Sequence, residues 1–175
     1  MKSVIIYSST DGQTKRISEF INENLLNINE HEIIPIENIS GINIEDYDYI
    51  IIGASIRYGK HSQSILNFVK NNLKLLKTKK NAFFSVNVVA RKKGKDTPES
   101  NPYVQKFINK TKWRPDKLGV FAGKVDYPNY NFFNKLIIRF IMFITKGPTD
   151  TSQTYEFTNW DNVRKFAKEI NENIN

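Results

Sequence analysis

The stretch YSSTDGQTKRIS, residues 7–18, carries the strongest indication of the fold. An apolar run, residues 2–7, precedes it and predicts a strand, and a helical pattern follows Gly12. Backbone N–H groups of such a turn, and of the first helical turn after it, point towards one place, and Gly12 lets the backbone approach a ligand closely. Hydroxyl residues add further donors. The stretch therefore predicts a phosphate-binding turn that uses Ser8, Ser9, Thr10 and Thr14.

Two common nucleotide-binding motifs are missing from this turn. The spacing GxGxxG is absent, so a dinucleotide fingerprint is excluded, and GxxxxGK(S/T) is absent, so the lysine of the NTPase loop is missing. The turn therefore matches neither of these two motifs.

Strand-like and helix-like patterns alternate along the rest of the chain. Apolar runs bounded by short polar or Gly-bearing loops predict a five-stranded, doubly wound parallel sheet with helices on both faces, an α/β fold whose ligands bind at the carboxyl ends of the strands. The strands are predicted at residues 2–7, 31–35, 49–53, 81–87 and 117–123, and the helices at residues 13–26, 62–76, 101–111 and 159–174, the last capped by Thr158 and Asp161. Residues 1–175 are predicted to form one domain, with an insertion at about residues 124–153.

Composition limits the chemistry. The chain has 175 residues and a formal net charge of +8. It has no Cys, and this absence excludes disulfides, a thiol nucleophile and iron–sulfur ligation by Cys. Only His31 and His61 are present and HExxH is absent, so no metal site is expected. No charged and apolar leader precedes the first strand, and no stretch reaches the roughly 20 apolar residues of a spanning helix, which predicts a cytoplasmic protein. The positive charge favours anionic partners such as nucleic acid, lipid headgroups or acidic small molecules.

Five segments resemble a known family in order and spacing. The first loop is similar to the loop that binds the FMN phosphate in flavodoxins. The segments IIIGASIRYGKH (residues 50–61), FFSVNVVARK (83–92), KWRPDKLGVFAG (112–123) and GPTDT (147–151) extend the resemblance over nearly the full length. Together they resemble the menaquinone-dependent protoporphyrinogen oxidases of haem biosynthesis. The resemblance implies a flavodoxin-like fold, one FMN, protoporphyrinogen IX as substrate and a quinone, menaquinone, as electron acceptor.

The resemblance also implies which residues contact FMN. Tyr58 would stack on the flavin ring or else cover loop backbone, and Asn87 would bond the polar edge of the ring or form a turn. Asp11 is expected to cap the helix or brace the loop, because a carboxylate beside a phosphate is unfavourable. Asp150 reaches the FMN region or serves as a turn residue, and His61 lies near the ring unless it is a surface or capping residue. The predicted cofactor-binding residues are Ser8, Ser9, Thr10, Asp11, Gly12, Gln13, Thr14, Ala54, Ser55, Ile56, Tyr58, Gly59, Ser85, Val86, Asn87, Val88 and Asp150.

Two arginines are predicted to hold the substrate. The charge run RKKGK, residues 91–95, follows the third loop and faces Arg57 and Lys60 from the second. Arg57 and Arg91 would grip the propionates of the porphyrinogen, because a planar guanidinium bonds a carboxylate with two hydrogen bonds, although a solvated turn is the simpler interpretation of the run. No catalytic side chain is expected, because the flavin carries the chemistry.

An amphipathic helix is predicted inside the insertion. At 100° per residue, the apolar side chains of residues 131–146 fill half of the wheel, including Phe132, Phe133, Phe140 and Phe143, with Lys and Arg at one edge of the other half. Such a helix packs on the sheet, packs in a homo-oligomer, or lies in the membrane interface. The last alternative would bring the flavin to a lipid-soluble quinone and predicts a peripheral protein at the cytoplasmic face of the cell membrane.

Two other function classes remain open at this stage. An electron-transfer flavodoxin or an FMN-dependent quinone reductase would keep FMN but lack porphyrinogen activity. A basic nucleic-acid-binding module would bind single strands in a salt-sensitive way and hold no flavin. No nucleic-acid partner is expected, because the aromatic residues do not interleave with the basic ones.

Overall fold

The structure, a computed structural model, describes residues 1–26 and 28–174. The strands are β1 (Lys2–Ser8), β2 (Glu30–Pro35), β3 (Tyr49–Arg57), β4 (Lys60–His61), β5 (Lys80–Val86), β6 (Lys117–Phe121), β7 (Lys124–Asp126) and β8 (Thr154–Glu156). The helices are α1 (Gln13–Glu23), α2 (Gln63–Asn71), α3 (Leu73–Leu76), α4 (Pro102–Thr111), α5 (Phe132–Ile144) and α6 (Trp160–Ile174).

The central sheet has the strand order β2-β1-β3-β5-β6, and each neighbouring pair along this path is parallel. This order places the first strand at the switch point of a doubly wound sheet, where the two halves of the chain wind in opposite directions. The predicted flavodoxin-like class is therefore confirmed.

Each strand buries side chains on both faces of the sheet. In β1, Val4 and Ile6 pack beneath α2, α3 and α4, whereas Ile5 packs beneath α1 and α6. Continuous apolar runs are what such a sheet requires, because successive side chains point to opposite faces and neither face meets water. Gly53 in β3 is needed for close packing, since a Cβ there would lie 2.2 Å from the Phe84 ring.

Several element boundaries differ from the sequence predictions. The third strand continues past Gly53 to Arg57, because β4 folds back and pairs with its end in antiparallel fashion. The helix predicted at residues 62–76 breaks at Asn72 into α2 and α3. The predicted cap of α6 is wrong: Asn159, not Thr158, accepts hydrogen bonds from the first helical N–H groups, and the Thr158 hydroxyl donates to the Ala122 carbonyl.

The chain between β6 and α6 forms a separate small unit. β7 and β8 pair as a two-stranded antiparallel sheet, and α5 lies between them in sequence. Val125, Tyr127 and Met142 form its core, which explains why α5 presents only one side to the protein. The opposite side carries Phe132, Phe133, Phe140 and Phe143, whose side chains are 63–76% exposed. The alternative in which this face of the helix packs on the sheet is therefore wrong. None of the helices in the described residues is long and apolar enough to cross a membrane.

His61 belongs to the core beneath α4. Its ring packs edge-on against Phe83 and Phe107, and Nε2 lies 3.0 Å from the Ser85 hydroxyl. It is only 8% exposed, so it is neither a surface nor a capping residue. Burial lowers the pKa of His61 from 6.5 to about 3, because a charged imidazolium would lose its hydration.

This burial predicts a pH-dependent stability. The unfolded chain takes up the His61 proton before the folded protein does, so the contribution of His61 is complete above about pH 6.5 and declines as the pH falls below it. Between about pH 7 and pH 5, the unfolding free energy should fall by at most about 1.4 kcal/mol per pH unit on this account. Urea denaturation at each pH measures it. The variant His61→Phe should flatten the dependence, and the matched control His31→Gln should keep it; an equally steep fall in His61→Phe would contradict the assignment.

Candidate functional site

A cleft of about 530 Å³ lies at the carboxyl ends of the central strands. The loop after β1, the end of β3, the loop after β5, the chain after β6 and helix α5 all line it. This is where the connections of a doubly wound sheet leave a crevice, because the chain turns to opposite faces on the two sides of β1.

The loop after β1 leaves hydrogen-bond donors without partners. Gly12 has φ +78°, a left-handed conformation that favours glycine, and it starts α1 with no side-chain cap and no acidic residue in the first helical turn. The first N–H groups of a helix have no partner inside it. The buried hydroxyls of Ser8, Ser9 and Thr14 have no hydrogen-bond partner within residues 1–26 and 28–174. Such a concentration of unpaired donors fits a phosphate ester.

Asp11 is turned away from these donors. Its carboxylate accepts a hydrogen bond from the Tyr130 hydroxyl at 2.9 Å and lies 3.5 Å from Nη1 of Arg57. Burial raises the pKa of Tyr130 to about 12, so the phenol stays protonated and donates. Of the two roles expected for Asp11, the structure shows the bracing contacts and no capping bond. The loop is thus tied to the insertion without placing a charge against a phosphate.

The end of β3 forms a tight hairpin at the mouth of the cleft. Tyr58 and Gly59 have φ +49° and +73°, the values of a type I′ two-residue turn, and they connect Arg57 to Lys60. The Tyr58 ring is 54% exposed, and its hydroxyl donates to the side-chain carbonyl of Asn134 in α5. Arg57 lies over both Tyr58 and Tyr130, 5.2 Å from each ring centroid. An exposed aromatic ring is therefore available beside the cleft.

The loop after β5 is held by a buried polar chain. The side-chain carbonyl of Asn87 accepts from the Ala90 backbone N–H and from the Asn101 amide, while its own amide donates to the Ser85 hydroxyl. Ser85 in turn contacts His61. Asn87 is thus the turn-forming residue of this loop, and its contact with the flavin remains a prediction.

A family model for the flavodoxin domain matches residues 4–152 of the chain. The protoporphyrinogen IX dehydrogenase (quinone) of Leishmania major is 41% identical over 171 residues, which cover 97% of this chain and 74% of that protein. The enzyme of the same name from Escherichia coli strain K12 is 39% identical over 171 residues, which cover 97% and 94%. The chain belongs to the protoporphyrinogen IX dehydrogenase (quinone) family of flavodoxin-like proteins.

Solved structures of flavodoxins share the fold of this chain. The oxidised flavodoxin 1 of Bacillus cereus aligns with a TM-score of 0.53 at 18% identity, covering 99% of this chain and 97% of that one. A flavodoxin from the domain Archaea gives a TM-score of 0.53 at 16% identity and covers 99% of both chains. Membership of the family confirms FMN as the cofactor, and the unpaired donors at Ser8, Ser9 and Thr14 fit its phosphate.

Most of the predicted cofactor residues of this family member line the cleft. Gln13 does so too, but its amide donates to Glu156 and Thr158 and ties α1 to β8. Ala54 and Ser85 are buried in their strands, Gly59 lies on the far side of the hairpin turn, and neither Ser8 nor Gly12 is among the residues that line the cleft. The predicted residues that line the cleft are Ser9, Thr10, Asp11, Gln13, Thr14, Ser55, Ile56, Tyr58, Val86, Asn87 and Val88, together with Arg57.

Two predicted positions are corrected by the structure. Arg91 does not line the cleft: its guanidinium donates to the Val88 carbonyl and to both the carbonyl and the hydroxyl of Thr145. It therefore fastens the end of α5, and the predicted grip on substrate is wrong. The Asp150 carboxylate accepts from the backbone and hydroxyl of Ser152 and lies outside the cleft wall, so Asp150 is a turn residue.

Sequence reasoning missed the wall that follows β6. Gly123, Lys124 and Val125 lie at the carboxyl end of a central strand, so the strand-end rule was a sufficient signal for them. Tyr130 and Ile138 belong to the insertion, and no local pattern shows that the insertion folds back over the first loop. Their position depends on the hydrogen bond to Asp11, a contact between distant parts of the chain.

The phosphate loop generates the first ligand prediction. The positive φ of Gly12 disfavours any side chain at this position. A Cβ would meet no protein atom within 4 Å, so a larger side chain would extend into the space in which the FMN phosphate is predicted to bind. Gly12→Val should lose one or two charge-assisted contacts, about 1.5–3 kcal/mol each, and purify with little FMN. Flavin absorbance per protein and a flavin fluorescence titration measure this.

Gly41→Val is the matched control for Gly12→Val. Gly41 also has a positive φ of +85° and open space around its Cβ, but it lies in the connection between β2 and β3 and not in the loop after β1. This variant should bear similar backbone strain and keep its FMN. Full flavin content in Gly12→Val, or equal loss in both variants, would contradict the assignment of the loop.

Proposed function

We propose that the chain oxidises protoporphyrinogen IX to protoporphyrin IX with bound FMN and passes the electrons to a quinone, a late step of haem biosynthesis. The observation that carries the proposal is the similarity to two protoporphyrinogen IX dehydrogenases over 97% of the chain, a length that includes the insertion. FMN supplies reversible hydride and electron transfer, so the protein needs no nucleophile. Its own residues bind the phosphate, orient the ring and line the cleft.

Arg57 is the remaining arginine for substrate binding. It lines the cleft, and Asp11 takes only one long contact from its guanidinium. Its position over the Tyr58 and Tyr130 rings holds the planar group at the mouth of the site. A substrate carboxylate there would be bound with the geometry that suits a guanidinium.

The catalytic proposal is tested with purified protein under anaerobic conditions. The protein should be yellow, and it should convert protoporphyrinogen IX into fluorescent protoporphyrin only when a quinone is added; menaquinone is the proposed acceptor and ubiquinone the comparison. An electron-transfer flavodoxin or a quinone reductase would hold FMN but form no porphyrin above the uncatalysed rate. A colourless protein would overturn both flavoprotein functions.

We further propose that α5 attaches the protein to the cytoplasmic face of the cell membrane. This helix has two sides with different surroundings: Ile138 lines the cofactor cleft, whereas the side that carries the four phenylalanines is exposed. Lys135, Arg139 and Lys146 lie at one edge of that exposed side. A single helix that lies between the cleft and the bilayer would let a lipid-soluble quinone approach the flavin without leaving the membrane.

The side chains supply enough driving force for reversible attachment. Transfer of a Phe out of water contributes about 1.5–3 kcal/mol, and each Lys or Arg near an anionic surface about 1 kcal/mol. Burial of the same face in a homo-oligomer would use the phenylalanines equally well but would leave the basic edge without a purpose.

Replacement of the exposed phenylalanines tests the attachment. The variant with Ser at Phe132, Phe133, Phe140 and Phe143 should bind vesicles that contain phosphatidylglycerol much more weakly and lose menaquinone turnover, with FMN still bound. High salt should weaken wild-type binding without abolishing it, because only the basic part is screened. Leu26→Ser, at another exposed apolar residue, should change neither result. Unchanged vesicle binding in the Phe variant, with a shift from dimer to monomer in solution, would assign the face to a homo-oligomer instead.

A further inference from the structure

A second cleft, of about 370 Å³, lies beside the cofactor cleft. Ile56 lines both, and the turn between β3 and β4 separates them, because Tyr58 lines the first and Gly59 the second. A ligand that extends over this turn would thus contact both clefts. Of the predicted cofactor residues, Ile56 and Gly59 line the second cleft and the others do not.

The second cleft joins an apolar floor to a basic rim. Leu66 and the fully buried Phe107 form part of the floor. Lys60, Lys106 and Lys110 line the rim, and none of them has an ion-pair partner in the part of the chain that the structure describes. No Asp or Glu lines this cleft. Its chemistry therefore suits a ligand with an apolar body and more than one negative charge.

The arrangement of lysines is unfavourable without an anion. Lys106 and Lys110 are four residues apart on α4, so their charges repel on one face of the helix. Neither α2 nor α4 contains an acidic residue, and the chain between Tyr49 and Lys95 has none at all. Bound carboxylates would remove this repulsion, whereas ordinary surface lysines are interspersed with acidic residues, as in the Lys15–Glu19 and Lys168–Glu172 pairs of α1 and α6.

We infer that this second cleft binds the carboxylate edge of the tetrapyrrole substrate, with Lys106 and Lys110 on one propionate, Lys60 beside its strand partner Arg57 on the other, and Leu66 and Phe107 beneath the ring. The inference rests on the proposed function and adds a substrate-binding site to it. The cleft is smaller than the cofactor cleft, so it holds only the carboxylate edge, and the rest of the macrocycle extends over the hairpin turn towards the flavin. The half-buried Tyr103 adds a hydroxyl donor at the rim.

Binding of protoporphyrin IX, which carries the same two carboxylates, tests the inference without turnover. The FMN-loaded protein is titrated and porphyrin fluorescence is followed. The triple variant Lys60→Ala, Lys106→Ala, Lys110→Ala should bind about ten- to a hundredfold more weakly, at about tenfold for each lost carboxylate contact. It should raise KM for protoporphyrinogen by a similar factor while FMN content and reoxidation of the reduced flavin by quinone stay unchanged. Arg at the three positions should restore binding.

Two controls separate a local site from the general charge of this side of the molecule. The variant Lys70→Ala, Lys74→Ala, Lys77→Ala removes the same charge from exposed positions outside the cleft and should bind porphyrin as the wild type does. The dimethyl ester of protoporphyrin, which has no carboxylates, should bind weakly and should not distinguish the rim variant from the wild type.

Each other outcome overturns the inference. Equal loss in both triple variants would mean a diffuse electrostatic attraction, and no loss in the rim variant would mean that the carboxylates bind elsewhere. If the rim variant lost binding to anionic vesicles but kept porphyrin binding, the lysines would face lipid. A wild type that oxidises protoporphyrinogen together with an unaffected rim variant leaves the proposed function intact, whereas a wild type that neither binds nor oxidises it removes both.

Discussion

Burial of both faces of the parallel sheet determines where polar groups can lie in this protein. Since β1, β3 and β5 are covered by helices on each side, their polar neighbours lie only at the strand ends. The loop after β1 then begins α1 at Gly12, where helical N–H groups and unpaired hydroxyls remain. The same packing that excludes water from the sheet therefore creates the anion site, and neither a metal nor a cationic side chain is needed to attract a phosphate.

The insertion is joined to each loop of the cofactor site by a separate contact. Tyr130 bonds Asp11 of the first loop, Asn134 bonds Tyr58 of the second, and Thr145 bonds Arg91, which follows the third. Because these contacts are distributed from before the start of α5 to its end, a movement of this helix would disturb all three loops together. Attachment of the exposed face of α5 to another surface would thus be coupled to the geometry of the flavin site, while the rigid sheet remains unaffected.

The sequence was sufficient for those parts of the molecule that short-range patterns determine. Strands such as residues 2–7 and the phosphate turn at Gly12 were predictable because apolar runs and a turn glycine act locally. The pairing of β7 with β8 was not, since the two strands are separated in the chain by α5. Arg91 is a further example. Its position beside the third loop was predictable from the sequence, but its hydrogen bond to the Thr145 carbonyl was not, because Thr145 lies 54 residues away in the chain.

Charge is distributed unequally between the two helical layers, and this asymmetry connects substrate and membrane. In α1 and α6, basic residues have acidic neighbours and form pairs such as Arg164 with Asp161. Helices α2 and α4 carry lysines alone, and α5 adds further basic residues beside its apolar face. Helices with one sign of charge attract anions over about a Debye length, some 8–10 Å at moderate salt. The long-range field can thus draw both an anionic tetrapyrrole and an anionic bilayer to the protein, whereas only short-range contacts, the lysine rim for one and the phenylalanines for the other, distinguish between them.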